Sequence, residues 1–176
     1  MVSISPERQD ILDLLAEARF FLKYTTRDLS DEQARLRPTS SALCLGGLIK
    51  HVTVVEDSWA RFVTEGMAAQ SVNGKHFAQW GAQEYAIRQA QFEMGADQTL
   101  EEIIAAYDEC AARTDEVVAT VEDLDRRFEL PPAPWNEPGA SRSVRWSLLH
   151  IGSETSQHAG HADIIRESID GAKSMG

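Results

Sequence analysis

The chain has 176 residues, 43% of them hydrophobic and 26% charged, a composition that suits a globular domain with its own core and excludes fibrous and disordered classes. Its formal net charge of -11 argues against nucleic acid or an anionic membrane surface as partner, since both select basic patches. No apolar run approaches a membrane span, no basic-then-apolar leader opens the chain, and Cys44 and Cys110 form no C-x-x-C pair, so the expectation is one soluble, cytoplasmic domain over 1–176 with two reduced thiols.

Ser5, Pro6 and Glu7 together read as a helix start: a side-chain acceptor, a proline at the first helical position, an acid in the first turn. Ile11, Leu14, Leu15, Ala18, Phe21 and Leu22 follow at helical spacing and predict a first helix over about 6–27. Ser30 to Gln33 has capping-box spacing and predicts a short helical turn that ends before Pro38. Ser40 and Ser41 offer the next cap, and Leu45, Leu48, Val52, Val55, Trp59 and Phe62 make one stripe of a second long helix over about 42–65, with His51 at the margin of the stripe. Gly46 and Gly47 weaken that helix but would let another backbone or a ligand come close.

Between Gly66 and Asp97 the pattern degrades into a Gln- and Ala-rich segment broken by Gly74, Gly81 and Gly95, which predicts short helical turns covering one end of the fold. Thr99 to Glu102 is a second capping box, and the stripe from Leu100 to Val121 predicts a third long helix over about 99–123. Pro131, Pro132, Pro134 and Pro138 make an extended loop. Ser143 then caps a last helix that stops at Asp170-Gly171. No strand pattern of useful length is present. Four long amphipathic helices predict an all-α four-helix bundle, a fold that seats metal and ligand sites between facing helices.

Three of the five histidines lie in the last helix, where His150, Glu154, His158 and His161 fall within an arc of roughly 80°. Trp146, Leu149, Ile164 and Ile165 extend that face above and below, which predicts that it belongs to the core. Unpaired imidazoles and a carboxylate in such a face cost several kcal/mol each, so the cluster requires a metal ion, a closed hydrogen-bond network or a water-filled cleft. Glu154 and His158, four apart, can reach one divalent cation, and His51 is the natural third ligand from another helix. Against this stands the frequency of surface Glu/His pairs and of lone structural histidines. Asp163 is expected in a salt bridge to another helix, Arg166 and Glu167 on a solvated face, and the aromatics Trp80, Tyr85 and Trp135 either at a pocket mouth or packed as a cap. Neither cysteine is assigned a nucleophilic role.

The string from Trp146 through His150, Glu154, His158, Gly160, His161, Asp163 and Arg166 to Asp170-Gly171, with Leu45-Gly-Gly-Leu, His51 and Trp59 upstream, resembles the DinB superfamily. It is most similar to the branch that groups with mycothiol-dependent maleylpyruvate isomerase and related thiol S-transferases. The resemblance implies an up-up-down-down four-helix bundle, often a homodimer, holding a divalent metal on His51, Glu154 and His158. Zn suits that donor set best, with Ni, Fe or Mn as alternatives. It further implies a small-molecule substrate and a mycothiol-like thiol, used for S-transfer or isomerisation. His150 and His161 exceed a three-ligand site and are candidates for a general base, a substrate contact or a partner that orients a ligand. A non-catalytic metal-binding or stress-response module and a metal-dependent hydrolase are the alternative functions.

Overall fold

The structure, a computed structural model, describes residues 4–174. Its architecture is mainly helical: α1 (Pro6–Tyr24), α2 (Asp31–Arg35), α3 (Leu45–Glu65), α4 (Ala82–Ala90), α5 (Leu100–Thr120) and α6 (Val144–Asp170), with 3₁₀ turns at Gly66–Ala69 and Phe77–Gln79. The long helix α6 packs along α1 and α3, and α3 packs along α5.

The helix ends follow from capping chemistry. The side chains of Ser5, Ser30, Thr99 and Ser143 each accept a backbone N–H of the first turn, and Gly171 closes α6 in the left-handed conformation. α1 is shorter than its periodicity suggests, because the chain turns after Tyr24 and Asp28 takes a positive φ of 58°. α3 begins later than expected. The side chains of Thr39 and Ser41 accept the backbone N–H two residues on, and Cys44 stands at the N-cap without a side-chain capping bond.

A two-stranded antiparallel sheet, β1 (Arg127–Glu129) and β2 (Ser141–Ser143), flanks the proline-rich loop and was not expected. Three residues per strand are too few to show alternation. The 66–97 segment is short helical turns, as predicted, and the glycines of α3 explain how it docks. A Cβ on Gly47 would collide with the Phe92 carbonyl oxygen, and one on Gly46 with the Met94 sulfur.

Buried apolar residues form two clusters at different heights. One contains Leu22, Leu45, Leu48, Ile49, Val52, Ile103, Tyr107, Ala162 and Ile165, and the other Ile11, Leu15, Phe62, Val63, Val118, Leu148 and Ile151. Between them along each long helix lies a buried polar residue: Arg19, Glu56, Thr114 and Thr155. Arg19 binds Glu56 through Nη2 at 2.5 Å and reaches Asp115 at 2.7 Å. That arrangement keeps both buried charges paired, and Arg19 is held fully cationic despite its burial.

The face of α6 buried in this core is not the predicted one. Leu148, Ile151, Gly152, Thr155, Ala159, Ala162 and Ile165 are buried, whereas Trp146, Leu149 and Ile164 are exposed. Small residues at Gly152, Ala159 and Ala162 let α6 approach its neighbours closely, and the side chain of Leu14 covers Gly152. Arg166 is also buried, not solvated. It donates to the carbonyls of Thr25 and Arg27, beyond the C-terminal end of α1, and pairs with Asp170 at 2.9 Å. Among the described residues Asp163 makes no interhelical salt bridge, and instead accepts the Ser174 backbone N–H at 2.7 Å.

Candidate metal centre

The polar cluster of α6 lies on the flank of the buried face, turned toward α3. His51, His158 and Glu154 offer ligand atoms that all lie within 4.8 Å of one another. α3 supplies His51, which is only 2% exposed and so lies deeper than the stripe margin on which its sequence position suggested it. Its ring stacks on Phe92, centroids 4.0 Å apart, and meets His158 edge-on at 4.9 Å. Glu154 bridges along α6: its carboxylate oxygens stand 3.6 Å from His150 Nε2 and 3.6 Å from His158 Nε2.

The donor chemistry fits a divalent cation. Metal-binding imidazoles must be neutral, and burial first, then Arg88 and His158, hold His51 far below the usual histidine range, at about 3. Burial also pushes His158 and His150 down, against the opposing pull of Glu154. Two neutral imidazoles and one carboxylate leave coordination positions open for an incoming group.

The remaining predicted site residues differ in their places. His150 is sandwiched by aromatic rings: it stacks on Trp146 at 4.7 Å and meets Trp59 edge-on at 4.9 Å. Arg142 lies over the other arene of this group, 4.5 Å from the Trp146 centroid. His161 is exposed, at the rim, with Nδ1 3.4 Å from His158 Nδ1. Trp80, Tyr85 and Trp135 pack with Phe77 into an aromatic group, Phe77 and Trp135 having centroids 4.5 Å apart. Cys44 and Cys110 are buried, and burial pushes the Cys110 thiol up to about 12, which suits an inert role.

Sequence reasoning missed Arg88. It projects from α4 and places Nη1 3.2 Å from His51 Nδ1 and 2.9 Å from Gln91 Oε1. A guanidinium can only donate, so Nδ1 accepts and the ring hydrogen sits on Nε2. A metal on either nitrogen displaces this contact: on Nδ1 it takes the accepting lone pair, and on Nε2 it moves the ring hydrogen to Nδ1. Phe92, which stacks on His51, was missed as well. A cation and an aromatic ring in the one segment without periodicity gave only a faint signal.

No individually curated protein matches the chain. The family model for mycothiol-S-transferases matches residues 10–171. That match runs from within α1 to the glycine that closes α6, and the chain belongs to the mycothiol-S-transferase family, in the DinB superfamily that its C-terminal motif resembles.

Proposed function

We propose that the protein is a metal-dependent S-transferase that joins mycothiol, or a similar low-molecular-weight thiol, to a small electrophile. The observation that carries the reading is the His51, Glu154, His158 cluster in a chain of this family. Zn is the favoured ion for two imidazoles and a carboxylate, with Ni, Fe or Mn as alternatives. When bound, the ion supplies charge that keeps a thiol in its thiolate form at neutral pH.

The chain's own residues do the rest. His51 and His158 enter the site already neutral, and Glu154 supplies the negative charge of the donor set. His150, half-buried between Trp59 and Trp146 and beside Glu154, is the base that takes the thiol proton. His161 at the rim contacts the substrate. The thiolate sulfur then bonds to the electrophilic carbon as the leaving group departs with its electron pair; reversible addition to a conjugated double bond, rotation about the resulting single bond and expulsion of the thiolate as the double bond re-forms would give isomerisation instead.

The four long helices support a single-domain, up-up-down-down four-helix bundle of the DinB type. The family resemblance extends this reading to a homodimer. No helix among the described residues is long and apolar enough to cross a membrane, which agrees with a cytoplasmic place beside a thiol pool.

Purified protein assayed with a thiol panel and a chlorinated dinitrobenzene tests the reaction. Turnover should need both metal and thiol. Metal-dependent turnover without thiol would make the protein a hydrolase, and metal binding with no turnover a non-catalytic module. By elemental analysis, Ala at His51, Glu154 or His158 should each abolish stoichiometric metal, while His161→Ala retains it; the reverse pattern for His51 and His161 sinks the ligand assignment.

A further inference from the structure

Arg88 is an unusual cation for this chain. Acidic residues outnumber Lys and Arg by 28 to 17, and the buried guanidiniums of Arg19 and Arg166 each have a carboxylate partner, Glu56 and Asp170. Arg88 is half-buried at the candidate metal centre, and its two hydrogen bonds go to neutral groups, His51 and Gln91. Burial disfavours its charge, and Glu154, the one carboxylate that counteracts this, does not reach ion-pair distance.

Both of those bonds leave from Nη1, which has two hydrogens and spends one on each. Nε and Nη2 have no protein acceptor among the described residues, and neither is sealed from solvent. Their parallel N–H groups form the edge of the guanidinium that matches a carboxylate oxygen for oxygen. His51 and Gln91 on one side, with the Phe92 ring 5.1 Å from the guanidinium carbon, hold that edge in place. A metal held by His51 would free the guanidinium from the imidazole, and Gln91 would remain as its anchor.

We infer that Arg88 is the recognition residue for a carboxylate on the electrophilic co-substrate, so that the enzyme prefers anionic electrophiles to neutral ones, which it still turns over. The inference rests on the S-transfer reading only in calling the ligand an electrophile. A thiolate is the other anion that could meet Arg88, but a single sulfur has no use for a two-pronged edge.

The test compares partners that differ only in this charge. Zinc-loaded protein is titrated calorimetrically, without thiol, with 3-nitrobenzoate and with its methyl ester. Wild type should bind the acid roughly 10- to 100-fold more tightly, the range of a charge-assisted hydrogen-bond pair. Arg88→Met should bring the two within about threefold, and Arg88→Lys, which keeps the charge and loses the fork, should fall between. Circular dichroism checks that both variants remain helical.

Equal binding of acid and ester by wild type overturns the inference. So does a preference that survives Arg88→Met, since the carboxylate would then sit on the metal or elsewhere. In turnover, 4-chloro-3-nitrobenzoate and its methyl ester should show the same discrimination in kcat/KM. If Arg88→Met lowers both alike and raises KM for the thiol, the guanidinium serves the thiolate and the carboxylate assignment fails. Absence of turnover with any thiol would remove the S-transferase reading while leaving the binding result to stand by itself.

Discussion

Acid should expose the neutrality of His51 as a loss of stability, and the size of the loss can be worked out. The ring is 2% exposed, stacked on Phe92 and faced by Arg88, and its folded pKa of about 3 lies below its unfolded value of 6.5. Between those values the unfolded chain binds a proton that the native chain refuses, so stability is intact above 6.5 and falls as pH drops toward 3. One such site loses about 2 kcal/mol between pH 7 and pH 5. Urea unfolding of the metal-free protein in chelator, at pH 7 and pH 5, measures this for wild type and His51→Gln. The variant keeps an acceptor for Arg88 but cannot titrate, so wild type should lose about 2 kcal/mol more than it does. Groups that do not touch His51 contribute equally to both and cancel. Identical losses would mean that His51 is already charged or already exposed in the native state, and the neutral-ligand reasoning would fail with it.

Gly47→Ala should destabilise by about 1–3 kcal/mol, read as a lower thermal midpoint, because the added methyl meets the Phe92 carbonyl oxygen; an unchanged midpoint would show that the 66–97 cover is not seated on α3 as described. Arg19→Met should cost roughly 3–5 kcal/mol by stranding Glu56, whereas Arg19→Met combined with Glu56→Leu should cost less than the single change. Equal costs in denaturant unfolding would refute the pairing.

Much of this was legible in the sequence because capping and periodicity are local. Thr99 with Glu102, and Ser143 with Gly171, mark helix ends through hydrogen bonds formed within a turn. His51, Glu154 and His158, whose ligand atoms lie within 4.8 Å of one another, stood out for a related reason, as ionisable groups beside apolar stripes at helical spacing, and the family resemblance singled out Glu154 and His158 among them. The rotation of α6 was not legible. Apolar side chains occur nearly all round it, and its buried centre is set by the small residues Gly152, Ala159 and Ala162, which mark close approach instead of hydrophobic mass. Arg166 and Arg88 were missed because the partners of a long cation are decided by tertiary packing. One finds orphan carbonyls beyond α1, and the other a histidine 37 residues away in sequence.

The rotation of α6 also sets where the proposed metal centre lies. Had the polar face pointed into the middle of the fold, four ionisable groups would have competed with the buried layer of Arg19, Glu56 and Thr155. Set on the flank, the cluster spans a gradient from the sealed ring of His51 through the His158 side chain, 13% exposed, to the carboxylate of Glu154, 29% exposed. The sealed end keeps imidazoles neutral, so a cation would bind there without first displacing protons. The open end, at Glu154 and the exposed Trp146, is the side from which a substrate would enter in the proposed reaction. A dry centre would hold the ligands and exclude the substrate, and a fully exposed one would admit the substrate but let the histidines take up protons near neutral pH.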